Sequence, residues 1–409
     1  MDSLGISKLD LKRQNRMQIL RQLRNYGPVS RIDIAHTLHI TKAAVTIITN
    51  EMIREGILCE LGEQASENGK ISRGRKKILL DIQPSWKLVV GIAIRSNWLD
   101  VGLSTLRGAT VEHHSVPIDP DVSFEEIVTQ ISQIYRDIIY KNAVKPEMLL
   151  GTGVSIDLSH FETCGVRREK SGYVSELLTT RLEEIGCGPV VCVELTEGIA
   201  IAESDFPRTF PSLFNLAVLQ MGGRFTGCVS IQQDICYGAH GRCCDFGSIS
   251  LGSGSTKAPA RARLSRKAIG EQLRALRTQR LSPALNTQSM DNPPRAEWIF
   301  CRSGFSPEDA AVRQYFDRIK EDYISLLQMA VALYDPEQLI IYPDGSVMEA
   351  LSQAIAAINA QYGAEVVRLS RFDETNLYLT GAAAAVRQFF TTRGGMAETK
   401  GEIPEESVK

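Results

Sequence analysis

The 409-residue chain reads as an α/β protein in two parts: a small module of three helices closed by a β-hairpin, and behind it a larger body of two α/β lobes. Three observations lead there. Apolar residues recur at helical spacing in three segments before residue 56, and the next two apolar runs, ILCEL and ILLDI, have strand composition. From residue 86 onward, short apolar runs alternate with amphipathic stretches, as in sheets covered by helices. The length also exceeds what a single hydrophobic core ordinarily serves.

In the module, Leu11 to Tyr26 carries an apolar stripe of Met17, Ile19, Leu20 and Leu23, and Gly27-Pro28 stops the helix. Ser30 stands at an N-cap with Asp33 in the following turn, which opens a short helix from Arg31 to Leu38. His39 and Ile40 make a turn. Thr41 then caps a third helix, Lys42 to Glu55, whose Val45, Ile48, Met52 and Ile53 share one side, and Gly56 closes it. Two strands joined by the polar stretch GEQASENGKISRGRKK complete the order of a winged helix-turn-helix, residues 1–82.

The chemistry agrees with that shape. A helix entering the major groove needs small or polar residues near its N-terminus, and Thr41, Lys42, Ala43 and Thr46 meet this requirement. Ser30 and Arg31 are placed to hold a phosphate. In the wing, Lys70, Arg73, Gly74 and Arg75 suit a narrow, negative minor groove; the alternative is a basic linker that stays solvated. Residues 1–80 hold 14 Lys and Arg against 8 Asp and Glu, so the basic part of the chain coincides with the part expected to meet double-stranded DNA.

Composition excludes other classes. Hydrophobic residues make up 43% and charged residues 23%, values of a folded soluble chain. No apolar run has the length of a membrane span, and charges are scattered where an export signal would be apolar, so a cytoplasmic location is expected. Nine cysteines at irregular spacing are expected to be free thiols, and the adjacent Cys243 and Cys244 lack the spacing of a zinc pair.

The body divides into a first lobe, 83–205, and a second lobe, 206–390, expected to carry effector binding and dimerisation. In the first, Trp86 to Leu106 reads as strands, Phe124 to Tyr140 as a helix, Leu149 to Ile156 as a buried strand, Val174 to Ile185 as a helix, and Val190 to Val193 as a strand before a helix at Thr196. A second cycle begins with FNLAVLQMGG and TGCVSIQQDI, followed by a long helix from Tyr315 to Tyr334, the strand QLIIY, and NLYLTGAAAAVRQFF as a strand leading into a helix. Residues 391–409 are polar and expected to be a disordered tail.

The run ILRQLRNYGPVSRIDIAHTLHITKAAVTIITNEMIREGIL, followed by GRKKILL, resembles the DNA-binding domain of the ROK family (repressor, ORF, kinase), in the regulator branch that includes xylose, glucose and N-acetylglucosamine repressors. The resemblance extends over nearly the whole chain and implies an actin/hexokinase-like (ribonuclease H-like) body. It also marks departures. Arg95, Ser96 and Asn97 stand where the family's kinases have small glycines and a threonine around phosphate. Glu194 and Leu195 replace the Asn-Asp pair whose Asp acts as general base. Cys244-Asp245-Phe246-Gly247-Ser248 replaces a Gly-Glu-apolar-Gly-His run, and the zinc-binding cysteine motif is absent.

The expectation is therefore a homodimeric (or dimer-of-dimers) repressor of a DNA operator, without catalytic residues, metal or cofactor. A sugar-derived effector would be held by Asp157, Glu194, Gly222, Gly223, Asp245 and Ser248. The alternatives are an unusual ROK-type carbohydrate kinase and a ligand-independent DNA-binding dimer.

Overall fold

The computed structural model describes residues 8–63, 77–95, 97–119, 122–157, 171–206, 212–223, 225–239, 244–278, 310–343 and 347–396. The module forms as its caps dictate. Helices α1 (Lys8–Tyr26), α2 (Arg31–Thr37) and α3 (Lys42–Arg54) are separated by N-caps in which the Ser30 hydroxyl accepts from Asp33 N and that of Thr41 from Ala44 N. Gly56, at φ +74°, ends α3 in the left-handed region, which glycine enters without a Cβ penalty. One feature differs from the expected hairpin. Val29–Ser30 forms a short strand β1 that pairs with β3 (Ile78–Ile82), so β3 lies between β1 and β2 (Leu58–Glu63) in a three-stranded sheet. So short a strand carries no periodic signal and exists only because β3 offers it a partner.

The first lobe is a sheet of β4 (Leu88–Arg95), β5 (Trp98–Thr105), β6 (Thr110–Pro117), β7 (Leu149–Ile156) and β8 (Val190–Glu194), ordered β6-β5-β4-β7-β8. Its first three strands form an antiparallel meander, and β7 and β8 add in parallel through crossovers containing α4 (Phe124–Lys141) and α5 (Ser171–Glu184). From β8 the chain turns directly into α6 (Leu195–Asp205).

The second lobe repeats this plan. Strands β9 (Leu216–Met221), β10 (Thr226–Ile231) and β11 (Asp234–Ile235) form the meander, with β12 (Cys244–Asp245) paired to β10. A small ribbon of β13 (Ser250–Leu251) and β14 (Ala258–Pro259) follows, then α7 (Ala260–Leu264), α8 (Arg266–Thr278) and α9 (Ala310–Tyr334). After them, β15 (Gln338–Pro343), α10 (Met348–Tyr362) and β16 (Val367–Leu369) complete the order β11-β10-β9-β15-β16. The chain then returns to the first lobe through α11 (Tyr378–Ala385), prolonged by a wider π-helical turn to Thr391.

Two expectations are corrected at this end. NLYLT contains no strand; Tyr378 already opens α11, whose eight residues are all buried against the first sheet. Nor does a free tail begin at residue 391. Thr391 is buried, Gly394 O accepts a hydrogen bond from Arg16 Nε at 2.8 Å, and Gly395 lies against Ile57. Residues 397–409 lie outside the described residues.

Burial divides into three cores. One fills the second lobe, one lies between the first sheet and α4 and α5, and the third joins the module to the inner face of the first lobe. This third core runs without a break from Leu20, Ile34, Val45 and Met52 to Leu195, Ile199, Ala382 and Phe390. The boundary near residue 82 is therefore a boundary in sequence and not in packing.

Helix α11 reaches its sheet through glycine. A Cβ on Gly381 would lie 2.3 Å from Gly153 O and 2.6 Å from Ile92 O, backbone atoms that cannot rotate aside. Gly381→Ala is expected to cost about 3 kcal/mol, the upper end of ordinary overpacking. Gly270→Ala, where a Cβ meets nothing within 4 Å inside α8, should be neutral or stabilise by about 0.5–1 kcal/mol. Paired denaturant titrations check the contrast.

Candidate functional site

Two sets of residues were singled out by sequence, and the structure places them at opposite ends of one connected framework. On α3, Val45, Ile48, Thr49 and Met52 face the core, while Lys42, Ala43, Thr46, Ile47, Asn50 and Arg54 are exposed. Thr41 is exposed and serves as the cap. The Thr46 hydroxyl donates to Lys42 O at 2.8 Å, so its proton is committed to the helix itself.

Ser30 and Arg31, expected to hold a phosphate, both make bonds within the module. Ser30 is buried, its hydroxyl donating to Asp33 Oδ2 at 2.6 Å while capping α2. Arg31 is a brace: its guanidinium donates to Thr49 Oγ1 at 3.0 Å, to Asn50 Oδ1 at 2.9 Å and to Glu60 Oε1 at 2.9 Å. It thus locks α2, α3 and β2 together with its charge already matched. Lys70, Arg73, Gly74 and Arg75 lie outside the described residues. At the foot of the wing, Lys77 pairs with Asp33 at 2.8 Å, an interaction that holds the Asp33 carboxyl below its usual range against the opposing effect of its partial burial.

The second set gathers at the carboxyl ends of the parallel strands, where open α/β sheets present their loops to ligands. Asp157 follows β7, and Glu194 ends β8 opposite Ile156. Across from them, Gln220 of β9 donates to Asp157 Oδ2 at 3.0 Å and accepts from the Thr226 hydroxyl at 3.2 Å, and Thr226 is paired in register with Asp245. Gly222, at φ +96°, and Gly223 make the turn leaving β9. Five of the six expected residues therefore sit around a polar chain that spans the two lobes. Ser248 stands beside Asp245 and donates to its Oδ2 at 2.8 Å.

Gln220, Thr226 and Arg261 were missed by sequence reasoning. A glutamine inside the apolar run LAVLQM was the available signal for the first; nothing local distinguishes the other two. Arg261 lies 2.5 Å from Asp245 Oδ1, which places a guanidinium where a metal would need open donors. With that cation on Asp245 and the Ser248 proton directed at the same carboxylate, this cluster does not fit a zinc ion. Among the described residues no group of three or more His, Cys, Asp or Glu is placed to share a metal.

The end of the first hairpin carries a buried ion pair. Arg95 pairs with Asp100 at 3.0 Å on the adjoining strand, and its pKa is raised because the carboxylate and phenol charges around it outweigh burial. Leu195, the first residue of α6, is buried. A cavity of about 490 Å³ opens elsewhere, at the joint between module and body, lined by Lys12, Arg16, Glu55, Trp86, Lys87 and Arg393 among others. Lys12 and Arg16 are already paired with Glu51 and Glu55.

What connects cleft and module is a buried ion cluster. Asp205, the last residue of α6, accepts from Arg24 of α1 at 3.0 Å and from Arg387 at 2.5 Å. Burial would push the Asp205 carboxyl up, but the two guanidinium groups outweigh it and hold the group below its usual value. Burial brings Arg24 down to about 10, partly offset by Asp205. The second lobe joins through Gln233, whose side chain accepts from Arg24 at 2.8 Å and exchanges hydrogen bonds with Asn25. Gln232 and Gln233 have φ of +52° and +70°, a left-handed two-residue turn that is costly without glycine and is held in place by these contacts.

No family model matches the chain. It is 39% identical over 66 residues to the DNA-binding transcriptional dual regulator NagC of Escherichia coli K12, 16% of each protein. It is 25% identical over 166 residues to the xylose repressor of Caldicellulosiruptor bescii, 40% of this chain and 38% of that one. The chain thus spans well under half the length of the curated relatives it matches. Among solved structures, a ROK family transcriptional regulator homologous to the E. coli MLC protein superposes with a TM-score of 0.67 at 17% identity, covering 94% of this chain and 97% of the other. A ROK hexokinase from Thermus thermophilus gives 0.52 at 15% identity over 73% and 98%. The fold resembles that of ROK proteins, with an N-terminal helical region and a mixed-sheet core like that of the actin/hexokinase fold.

Asp205→Asn should cost about 3–5 kcal/mol, since two buried guanidinium groups lose their counter-charge. The depressed carboxyl contributes its stabilisation fully above the unfolded aspartate value of about 3.9, and this is lost as pH falls through the lower folded value. Denaturation curves measured down the acid range should therefore fall less steeply for the variant than for the wild type.

Proposed function

We propose that the protein is a DNA-binding transcriptional regulator of the ROK family, in its repressor branch, acting as a homodimer, and that its kinase-like body senses a carbohydrate-derived effector without phosphorylating it. The observation that carries this reading is a winged helix-turn-helix whose third helix turns a polar and methyl-bearing face to solvent while its opposite face packs into a module core continuous with that of the body. The aligned repressors, named for xylose and N-acetylglucosamine, support the effector class.

Two features favour sensing over catalysis. Leu195 at the start of α6 has no group to accept a substrate proton, and Arg95 fills the hairpin end where a phosphate would need open backbone amides. Asp157 and Asp245 place carboxylates at the cleft, the acceptor groups that sugar hydroxyls donate to.

Coupling follows from the framework. Helix α6, about 16 Å long at 1.5 Å per residue, starts at Leu195, next to its N-cap Glu194 in the cleft, and ends at Asp205 on α1. The last turn of α1 is held by both lobes, through Asp205 and through Gln233. An effector that binds one interlobe angle better than another shifts α1, and with it the spacing of two recognition helices in a dimer.

Selection from a random duplex pool with the full-length protein is expected to return a partly palindromic site, with half-sites about 34 Å apart or a multiple of that, and a matching sugar should weaken retention. Absence of any sequence preference at moderate salt, or sugar-dependent ATP turnover, would overturn the reading. In the same assay Arg75→Ala should lower affinity and reduce the slope of log affinity against log salt by about 1.

A further inference from the structure

The exposed face of α3 carries one residue that the sequence pattern did not single out. Ile47 is 67% exposed, more than any other large hydrophobic residue among the described residues of the module. A single exposed isoleucine is ordinary on a protein surface, but the setting of this one is not. It lies at the i+4 position from Ala43 and three before Asn50, on the face flanked by the cations of Lys42 and Arg54. Thr46 beside it has its hydroxyl proton on Lys42 O, so the centre of the face offers the methyl groups of Ala43, Thr46 and Ile47 and little hydrogen-bond donation. A β-branched side chain is also a weaker helix former than the lysine, glutamate or alanine that a merely solvated position favours.

We propose that Ile47 is a specificity-determining residue that reads the C5-methyl group of a thymine in the major groove, the one base-edge feature there that is apolar. This rests on the DNA-binding reading above and deepens it. A rigid side chain loses little rotamer freedom on contact, and burying one methyl against it is worth about 0.8 kcal/mol, or about fourfold in affinity.

The test uses the full-length protein, the duplex it selects from a random pool, and copies of that duplex in which each thymine in turn is replaced by deoxyuridine, which removes only the methyl. One thymine per half-site should show about fourfold weaker binding to the wild type on replacement. Ile47→Ala should bind the unmodified duplex weaker by a similar factor and be indifferent to that one replacement, while its salt dependence stays unchanged. If Ile47→Ala responds to every replacement as the wild type does, or binds the unmodified duplex equally well, the assignment is overturned while DNA binding itself stands. If the wild type selects no duplex, the DNA-binding reading falls and takes this inference with it. An exposed Ile→Ala change raises helix propensity, so loss of fold does not confound the result.

Discussion

The arrangement of the molecule depends on the carboxylate of Asp205 and the two guanidinium groups it holds. Apolar burial between the module and the body is extensive, but it is non-directional and would tolerate sliding. The two-point fork of Arg387 on that carboxylate, joined by Arg24 donating to it and to Gln233, does not slide. A buried ion cluster of this kind adds little net stability compared with apolar packing; its contribution is to set one orientation, here that of α1 relative to both lobes.

From that anchor the rest follows mechanically. Helix α11 packs on the inner face of the first sheet and α6 packs between α11 and strands β9 and β10 of the second lobe, and both end at the module: α6 at Arg24, and α11 through the turn that carries Gly394 to Arg16. The second lobe reaches the same helix through Gln233, through Ser212 N on Asn25 O at 2.9 Å, and through Phe214 against Tyr26. In the proposed regulator, the cleft and the DNA-facing helix are thus joined by rigid elements. The polar chain from Asp157 through Gln220 to Thr226 lies where an interlobe ligand would intervene.

The departures from the kinase pattern have physical consequences at this same site. Arg95 and Arg261 put guanidinium groups beside Asp100 and Asp245, so charges that could serve metal or phosphate are matched internally. In the proposed regulator these polar residues bind one another, as would suit a cleft that senses a ligand.

Much of the module was legible from local chemistry. Caps, glycine stops and helical periodicity are decided within a few residues, so Ser30, Thr41, Gly56 and the buried face of α3 are where the sequence puts them. The strand β1, the helical start at Tyr378 and the packed Thr391–Met396 segment were not, because each exists by virtue of a partner far along the chain. The same division runs through the candidate sites. Residue type could nominate Arg31 for phosphate and Ser30 for an anion, yet only the fold commits Arg31 to Glu60 and buries Ser30. Sequence alone determined the three helices of the module and their buried faces, since those depend on neighbours in the chain. Tertiary structure alone decided that Arg24, Asp205, Gln233 and Arg387 meet, because pairing of charges about 180 residues apart leaves no local pattern to read.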